Sequence, residues 1–403
     1  MPDQALSDVK VLDLTWYVAG PYCTKLLADY GADVLKVERP GSGDPARRLG
    51  PFPKDEPHPE KSAFFSLLNT NKRGITLDLK SITGKKMFKD LVRGVDILVE
   101  NFSPRVMPSL GLDYKALAQE NPRLVMTSIA NFGQFGPYRD FKASDIILHG
   151  MGGDMYICGL PEREPVTYYG AWIQFQAGVA AAVATMGASC GAQGKGIGQQ
   201  VDVSIMETQS TSTDRRMIDL LAYQYCGECQ PRIAEAGGTY PGGPYPCKDG
   251  YFRLQGGGLM WDRTGKMLGN PEFLKDPKWS DPVGRAAPAL KEEFEAFFLA
   301  WLMERTKDEC LQAGQAARVL CAALYTVDEL LTTPHFQGRE TFVELDRPLL
   351  GRATYPGRPF IMNETPWRVN RPAPLLGQHN KEVYEGLGFS SQDLVKLRET
   401  GVI

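Results

Sequence analysis

The amino-acid sequence predicts an α/β fold, with a doubly wound, mainly parallel sheet in a large domain and a smaller α+β domain. Six short runs rich in Val, Ile and Leu alternate with segments whose apolar residues recur at helical spacing. The first run, the helix after it and the second run together take about 30 residues, as expected for a right-handed βαβ crossover. After about residue 222 the composition shifts towards Pro, Gly and Tyr, which marks a linker.

The elements of the large domain follow from these runs in order. Strands are predicted at residues 9–14, 33–38, 75–79, 95–100, 124–129 and 200–204. Helices are predicted at residues 22–30, 84–92, 106–119, 145–155 and 206–221. Gly31 stands where a helix C-cap is expected, and a Gly/Pro-rich loop follows the second strand. Long loops at the carboxyl ends of strands in such sheets commonly bind ligands.

The same changes of composition predict the domain boundaries. The large domain takes residues 1–222, a linker 223–245 and the small domain 246–330, and residues 331–403 form a second linker and a return to the large domain. The small domain is predicted to contain strands at 251–255 and 320–324 and helices at 261–268, 291–304, 306–313 and 327–332. The tail adds helices at 381–387 and 391–400.

Charge and hydropathy exclude several classes of protein. The 403 residues carry a net charge of −3, which leaves no basic footprint for nucleic acid or an anionic membrane surface. The N-terminus has no basic segment followed by an apolar run, and the most apolar stretch, 178–187, is too short to span a bilayer. We therefore expect a cytoplasmic protein without membrane or nucleic-acid partners.

Cysteine and histidine spacing argues against a metal site. The eight cysteines are scattered through a long chain, and only Cys226 and Cys229 have ligand-like spacing, without a second pair. The four histidines form no HxxxH or HExxH pattern. No metal is predicted.

The stretch from Thr167 to Gly187 is the one most typical of a ligand site. An irregular aromatic segment runs into a helix of very small residues, which allow another backbone or a flat ligand to approach closely. This helix has no polar face before Gln193, so we expect it to be buried. Position 174 is predicted to lie in the irregular approach, where a nucleotide-like ligand would arrive.

The common nucleotide-binding signatures are missing, because the sequence contains neither GxGxxG after the first strand nor GxxxxGK[ST]. The segment Asn69–Arg73 instead places two amides and two cations in five residues ahead of a strand. That composition suits hydrogen bonding to phosphate and adenine. Arg105 is a further anion-binding candidate, and a solvated surface charge is the simpler interpretation of any single basic residue.

A set of short motifs runs in one order over almost the whole chain. Together these motifs make the sequence resemble the family III CoA-transferases, of the formyl-CoA transferase and carnitine CoA-transferase type. No single motif is decisive. The matching segments are Val11–Leu14, Ala19–Pro21, Leu27–Val34, Lys36–Pro40, Gly43–Asp44, Asn69–Arg73, Val99–Phe102, Phe132–Gln134, Gly196–Val201 and Tyr245–Tyr251.

The resemblance implies a Rossmann-like large domain, an inserted small domain and an interlocked dimer in which each chain is threaded through the other. It implies acyl-CoA as substrate, no metal, and CoA bound on the large domain. The glycine loop Gly256–Gly258 matches one that covers the reacting carboxylate in formyl-CoA transferase. The positions that match CoA contacts are Arg39, Asn69, Asn71, Lys72 and Lys142.

Chemistry in this family is implied to be ping-pong catalysis by one aspartate. Its carboxylate attacks the thioester carbonyl, forms a mixed anhydride and then an aspartyl-CoA thioester, acting as both nucleophile and leaving group. Alignment from Lys142 and, independently, from Gly196 places that aspartate at Gln174. Because an amide nitrogen is delocalised and a poor nucleophile, the resemblance implies a chain that is inactive alone as a transferase.

The replacement suggests the non-catalytic subunit of a hetero-oligomer whose paralogous subunit carries the catalytic aspartate. Succinyl-CoA:(R)-benzylsuccinate CoA-transferase of anaerobic toluene degradation is a family member built from two different chains. An aromatic acid such as benzylsuccinate would fit an acyl pocket lined by Trp16, Tyr17, Tyr168, Tyr169, Trp172 and Phe175.

Two other interpretations remain open. The chain could be a self-sufficient transferase in which Glu162, Glu164 or Asp154 replaces the lost acid, or a racemase, although Ser144 stands at the racemase histidine position. His149 lies four residues after Asp145 on one helical face, which allows a displaced racemase pair. The third possibility is a CoA-binding module without a catalytic partner.

Overall fold

The computed structural model describes residues 4–211, 214–229, 231–232, 240–347 and 349–403. The chain divides into two compact units. Unit 1 comprises Met1–Tyr156, Val166–Cys229 and Glu340–Ile403, and unit 2 comprises Ile157–Pro165 and Gln230–Arg339. The second unit is larger than the predicted small domain 246–330, because it also includes residues 157–165, 230–245 and 331–339.

Unit 1 is built on a six-stranded, all-parallel sheet with the spatial order β3-β2-β1-β4-β5-β6. Helices cover both faces, and the two buried clusters on either side of the sheet account for most of the core. The predicted doubly wound α/β fold is confirmed. The six strands are β1 Lys10–Asp13, β2 Asp33–Glu38, β3 Arg73–Thr76, β4 Ile97–Glu100, β5 Val125–Ala130 and β6 Gln199–Ser204.

The helices of unit 1 connect these strands or follow them. Those before β6 are α1 Ala19–Asp29, α2 Ala63–Leu68, α3 Ile82–Val92, α4 Val106–Leu110, α5 Tyr114–Glu120, α6 Asp145–Met151 and α7 Trp172–Lys195. Those after it are α8 Ile205–Thr211 and α9 Asp214–Cys226.

Unit 2 contains a three-stranded antiparallel sheet in the order β7-β8-β9 and a core rich in aromatic residues. Its strands are β7 Gly242–Cys247, β8 Gly250–Gln255 and β9 Leu320–Leu324, and its helices are α10 Trp261–Met267, α11 Pro288–Met303, α12 Lys307–Ala316, α13 Val327–Thr332 and α14 Pro334–Gly338. The chain then returns to unit 1 with the hairpin β10 Phe342–Arg347 and β11 Gly351–Pro356, followed by α15 Asn380–Gly386 and α16 Ser391–Glu399.

Several predicted boundaries were wrong for local reasons. The helix predicted at 106–119 is two helices, because Gly111 adopts a left-handed φ of 68° and Asp113 then caps a new helix. Strand β3 begins at Arg73 rather than residue 75, since Arg73 already pairs with Leu35 of β2. Both ends of the predicted linker 223–245 belong to α9 and β7, and its residues 230 and 233–239 lie outside the described residues.

The small-residue helix α7 corrects two expectations. It begins at Trp172, so position 174 lies in its first turn and not in an irregular approach. One face is buried against α1 and the sheet, but Val179 and Val183 are exposed, the latter by 69%. By length and composition this helix could also cross a membrane, but its packing in the core of unit 1 accounts for its apolar face.

Gly178 sets the distance between α7 and α1. A Cβ atom at this position would stand 2.6 Å from the carbonyl oxygen of Ala19 and 3.2 Å from the ring of Tyr22. We expect Gly178→Ala to lower the free energy of unfolding by about 1–3 kcal/mol, because the helices must separate. Urea unfolding measures this change.

Gly187, in the same helix, is the matched control, because a Cβ there would have no neighbour within 4 Å. Gly187→Ala should raise stability by up to about 1 kcal/mol, through helix propensity alone. Equal effects of the two substitutions would contradict the close approach of α7 and α1.

Candidate functional site

The strand order reverses between β1 and β4, and the loops after these two strands meet at the carboxyl edge of the sheet. Asn101, which follows β4, accepts a hydrogen bond from the backbone N–H of Trp16 at 2.8 Å and donates one to its carbonyl at 2.8 Å. The Trp16 and Phe102 rings pack edge to face at 5.3 Å. Ligands of open α/β sheets bind at this kind of crevice.

A buried ion pair underlies the crevice. Asp13, the last residue of β1, is fully buried and accepts a hydrogen bond from the Lys72 Nζ at 2.9 Å. The hydroxyls of Thr15 and Thr24 donate to the same carboxylate. Burial alone would raise the pKa of Asp13, but the charges of Lys72 and Lys36 and these hydrogen bonds lower it to about 2.

A second set of buried charges holds the loop after β2. Lys36 Nζ lies 3.0 Å from Asp44, and the Arg47 guanidinium binds Glu38 through two nitrogens at 2.7 Å each. Asp44 also accepts a hydrogen bond from the backbone N–H of Tyr17. The loops after β1 and β2 are thereby tied to each other as well as to the sheet.

The segment Asn69–Arg73 takes part in these buried contacts. Lys72 is fully buried, and its ammonium also donates to Asn69 and to the Pro21 carbonyl. Asn71 donates to Asp29 and to the carbonyl of Arg368. The side chains predicted to contact CoA here have hydrogen-bond partners within the protein, and their contact with CoA stays a prediction.

Arg39 and Lys142 are placed differently from that buried segment. Arg39 follows β2, Lys142 lies in the loop between β5 and α6, and both side chains are exposed without a hydrogen bond to the described part of the chain. Arg105, the further anion-binding candidate, forms a two-pronged ion pair with Asp140. Arg39 and Lys142 therefore remain the two proposed CoA contacts whose charges are open to a phosphate.

Glu100, the last residue of β4, is a buried carboxyl at the same edge of the sheet. It is 3% exposed and borders a cavity of about 250 Å³ that Ser128 and Arg139 also line. Burial raises the pKa of Glu100 to about 7, although Ser128 and the Phe102 backbone N–H oppose this by hydrogen bonding to it. This carboxyl is half protonated near neutral pH.

The raised pKa of Glu100 predicts a pH dependence of stability. The folded protein binds one more proton than the unfolded chain between the ordinary pKa of 4.5 and about 7, so this group's contribution falls as pH rises through that window. In the wild-type protein this group lowers the free energy of unfolding as pH rises from 5 to 8. We expect that decrease to be smaller by about 2–3 kcal/mol in Glu100→Gln. The exposed Glu399→Gln is the control and should leave the wild-type pH profile in place.

Gln174 lies in the first turn of α7 and is partly buried. Its amide nitrogen donates to the carboxylate of Asp145 at 2.6 Å. Asp145 is the first residue of α6, so this bond joins the starts of two helices. The neighbouring Phe175 packs on Tyr22 with ring centroids 4.8 Å apart. The side chain at position 174 is thus fixed by a carboxylate, not left free in a loop.

His149 is 1% exposed and makes two short contacts. Its Nε2 lies 2.8 Å from an Asp154 carboxylate oxygen, and its Nδ1 lies 2.7 Å from the Thr167 hydroxyl. The hydrogen-bonded acid partner of this histidine is Asp154, while His149 and Asp145 line the same cavity, so the racemase pair stays a prediction. Asp154 is 5% exposed, so it is poorly placed to act as a substitute nucleophile.

A cavity of about 160 Å³ opens between α6 and the start of α7. Its aromatic lining comes from Tyr168 and Trp172, whose rings pack edge to face at 5.0 Å. Of the other aromatic residues predicted for the acyl pocket, Trp16 packs on Phe102 and Phe175 on Tyr22. The cavity is lined by Asp145, Ile146, His149, Thr167, Tyr168, Gly170, Trp172 and Ile173.

The glycine loop Gly256–Gly258 belongs to unit 2 and follows β8. The Gly256 N–H donates to the carbonyl of Pro241, and its carbonyl accepts from the Thr264 hydroxyl. Gly258 has a φ of 55°, which favours glycine. These hydrogen bonds hold the loop within its own unit. That the loop covers a reacting carboxylate stays a prediction.

Comparison with known proteins identifies the family. The profile described as CoA-transferase family III matches residues 6–380. The chain belongs to CoA-transferase family III. Succinyl-CoA–D-citramalate CoA-transferase from Chloroflexus aurantiacus is 33% identical over 409 residues, covering 100% of this chain and 99% of that relative. Formyl-CoA:oxalate CoA-transferase from Streptomyces coelicolor is 32% identical, covering 100% of each chain.

Solved structures agree with this family III assignment. A CAIB/BAIF family protein from Brucella suis superposes with a TM-score of 0.82 at 28% identity, covering 96% of this chain and 100% of that one. Rv3272 from Mycobacterium tuberculosis, at 24% identity and a TM-score of 0.76, covers 94% of this chain and supports the fold alone. Membership of family III supports CoA transfer from an acyl-CoA as the activity of this protein.

Proposed function

We propose that this chain is the non-catalytic subunit of a hetero-oligomeric CoA-transferase, which moves CoA between an acyl-CoA and a carboxylic acid. The observation that carries the proposal is Gln174, at the position of the family's nucleophilic aspartate, with its amide bound to Asp145. A glutamine cannot form the mixed anhydride on which ping-pong CoA transfer depends. The paralogous subunit would supply the aspartate.

Succinyl-CoA is the proposed donor, and an aromatic acid such as benzylsuccinate is the proposed acceptor. The resemblance to a relative named as a succinyl-CoA–D-citramalate CoA-transferase supports the donor. Tyr168 and Trp172, which line the cavity beside Gln174, support an aryl group through ring contacts. Arg39 and Lys142 are the proposed CoA phosphate contacts, and a cytoplasmic location goes with this substrate.

An interlocked pair of chains is the proposed assembly. The exposed side of α7 supports it, because Val179 and Val183 are apolar and lie on a helix that carries few charges. In an isolated chain such a face would be costly, whereas a partner subunit would cover it.

Co-expression with a family III paralogue that carries the aspartate tests the proposal. We expect the two chains to co-purify and to transfer CoA from succinyl-CoA to benzylsuccinate, while this chain alone gives no transfer. Lys142→Ala and Arg39→Ala in this chain should weaken its CoA binding, most strongly at low salt. Full transfer by the isolated chain would overturn the proposal.

A self-sufficient transferase is the second candidate, and the contact between Asp145 and Gln174 favours it. Asp145 borders the cavity and lies next to the position of the lost nucleophile. Its carboxylate could form the anhydride in place of an aspartate at 174. Mass spectrometry of the isolated chain after incubation with succinyl-CoA and hydroxylamine decides, because only this candidate predicts modification of Asp145.

A further inference from the structure

Three side chains beside the cavity between α6 and the start of α7 form a chain of hydrogen bonds that CoA transfer does not use. Asp154 contacts His149 Nε2 at 2.8 Å, and His149 Nδ1 contacts the Thr167 hydroxyl at 2.7 Å. Asp154 and His149 are buried, whereas Thr167 is exposed, so the series runs from the core to the surface. An acid, an imidazole and a hydroxyl in this order are the parts of an activated nucleophile.

Hydrogen-bond chemistry determines which atom is the donor and which is the acceptor in each bond of this series. An ionised carboxylate only accepts, so His149 Nε2 must donate to Asp154. A neutral imidazole then has an acceptor at Nδ1, and the Thr167 hydroxyl donates to it. A competing contact from that hydroxyl to the Tyr168 carbonyl is long, at 3.5 Å, so the histidine is the preferred acceptor.

The surroundings of the hydroxyl suit a thioester carbonyl. His149 and Thr167 both line the cavity of about 160 Å³, and its lining also includes Trp172 and Ile173 from the first turn of α7. The positive end of this 24-residue helix favours negative charge developing on an attacked carbonyl oxygen. The aromatic ring of Tyr168, 5.3 Å from the imidazole, covers the histidine.

We propose that Thr167, His149 and Asp154 hydrolyse acyl-CoA thioesters. This activity goes beyond CoA transfer and does not depend on an aspartate at position 174. Thr167 is the catalytic nucleophile, His149 the catalytic base and acid, and Asp154 the positioning residue that fixes the imidazole tautomer.

The steps balance without any further reactant than water. The Thr167 oxygen attacks the thioester carbonyl while His149 Nδ1 takes its proton, and the C–S bond then breaks as CoA leaves with that proton. The acyl group is now an ester on Thr167. Water attacks this ester, gives a proton to His149, and the carboxylic acid departs as the proton returns to the Thr167 oxygen.

Purified full-length chain, without a partner subunit or an acceptor acid, is incubated with succinyl-CoA or benzoyl-CoA, and release of the CoA thiol is followed with a thiol-reactive dye. Thr167→Val should lower the rate by at least about 100-fold, whereas Thr167→Ser should stay within about 10-fold of wild type. The exposed Thr332→Val is the matched control and should not change the rate. His149→Gln should lose the activity as fully as Thr167→Val, with thermal unfolding checked because His149 is buried.

Mass spectrometry of acid-quenched reactions gives the second readout, and an acyl ester on the peptide containing Thr167 is expected. The proposal would be overturned if the wild-type chain hydrolysed the thioester no faster than buffer does. It would also be overturned if Thr167→Val hydrolysed it at the wild-type rate. An acyl adduct on Asp145 instead would also overturn it and would favour the displaced-acid transferase. Loss of hydrolysis alone leaves partner-dependent CoA transfer intact, so the two proposals fail separately.

Discussion

An aspartate at position 174 is expected to turn the isolated chain into a working CoA-transferase. Gln174→Asp supplies a carboxylate that can be both nucleophile and leaving group, at the start of a helix that already borders a cavity. We expect CoA transfer from succinyl-CoA to an acceptor acid to rise at least about 10³-fold above wild type. Chromatographic separation of the two acyl-CoA esters measures the rate.

The neighbour of Gln174 sets the limit on that gain. Asp145 accepts the Gln174 amide at 2.6 Å, so a carboxylate at 174 would face a second one at close range. Like charges disfavour ionisation, and the double variant Gln174→Asp with Asp145→Asn should therefore be faster than Gln174→Asp. Gln174→Asn is the matched control and should stay inactive. Equal rates for the Asp and Asn variants would show that position 174 is not the nucleophile's place.

Loss of the Lys72 charge is expected to have the largest effect on stability. Lys72→Met leaves the fully buried Asp13 carboxylate without its closest cation. We expect the free energy of unfolding to fall by about 3–5 kcal/mol at neutral pH, as measured by urea titration. The exposed Arg93→Met, which also breaks ion pairs, is the control and should barely shift the urea midpoint.

The pH dependence separates this ion pair from a packing defect. The pKa of Asp13 is lowered from 3.8 to about 2, so the stability it provides is complete above about pH 4 and is lost as pH falls towards 2. The difference between wild type and Lys72→Met should therefore shrink in this acid window. A constant difference would indicate a packing defect at position 72. A Lys72→Met variant that is fully stable but binds CoA weakly would instead restore the phosphate-contact interpretation of Lys72.

Local sequence patterns were sufficient for the strands and for the doubly wound class of fold. Buried parallel strands read as continuous apolar runs, and the right-handed crossover leaves few topologies for such alternation. The sequence was less able to divide helices, as at residues 106–119, because Gly111 and Asp113 act through one backbone conformation and one cap. It also misjudged α7, since small residues permit burial without requiring it on every face.

Site residues were harder to predict than the fold because a motif does not reveal which partners its side chains will have. Asn69–Arg73 has the composition of a phosphate site, yet Lys72 is neutralised by Asp13, 59 residues earlier in the chain. His149 was paired with Asp145 by helical spacing, whereas the chain turns after α6 and brings Asp154 and Thr167 to its two nitrogens. Thr167 carried no signal of its own in the sequence.

The sequence by itself predicted the family and the parallel sheet, and its resemblance to the family predicts an amide at position 174 in place of the nucleophilic carboxylate. These depend on residue identity and on short-range pattern, which one chain displays in full. Only the tertiary structure decided which charged side chains are exposed to a ligand and which form ion pairs in the core. It also decided which hydroxyl is hydrogen-bonded to His149. Such pairings join residues distant in sequence, and burial then sets their protonation through desolvation and neighbouring charge.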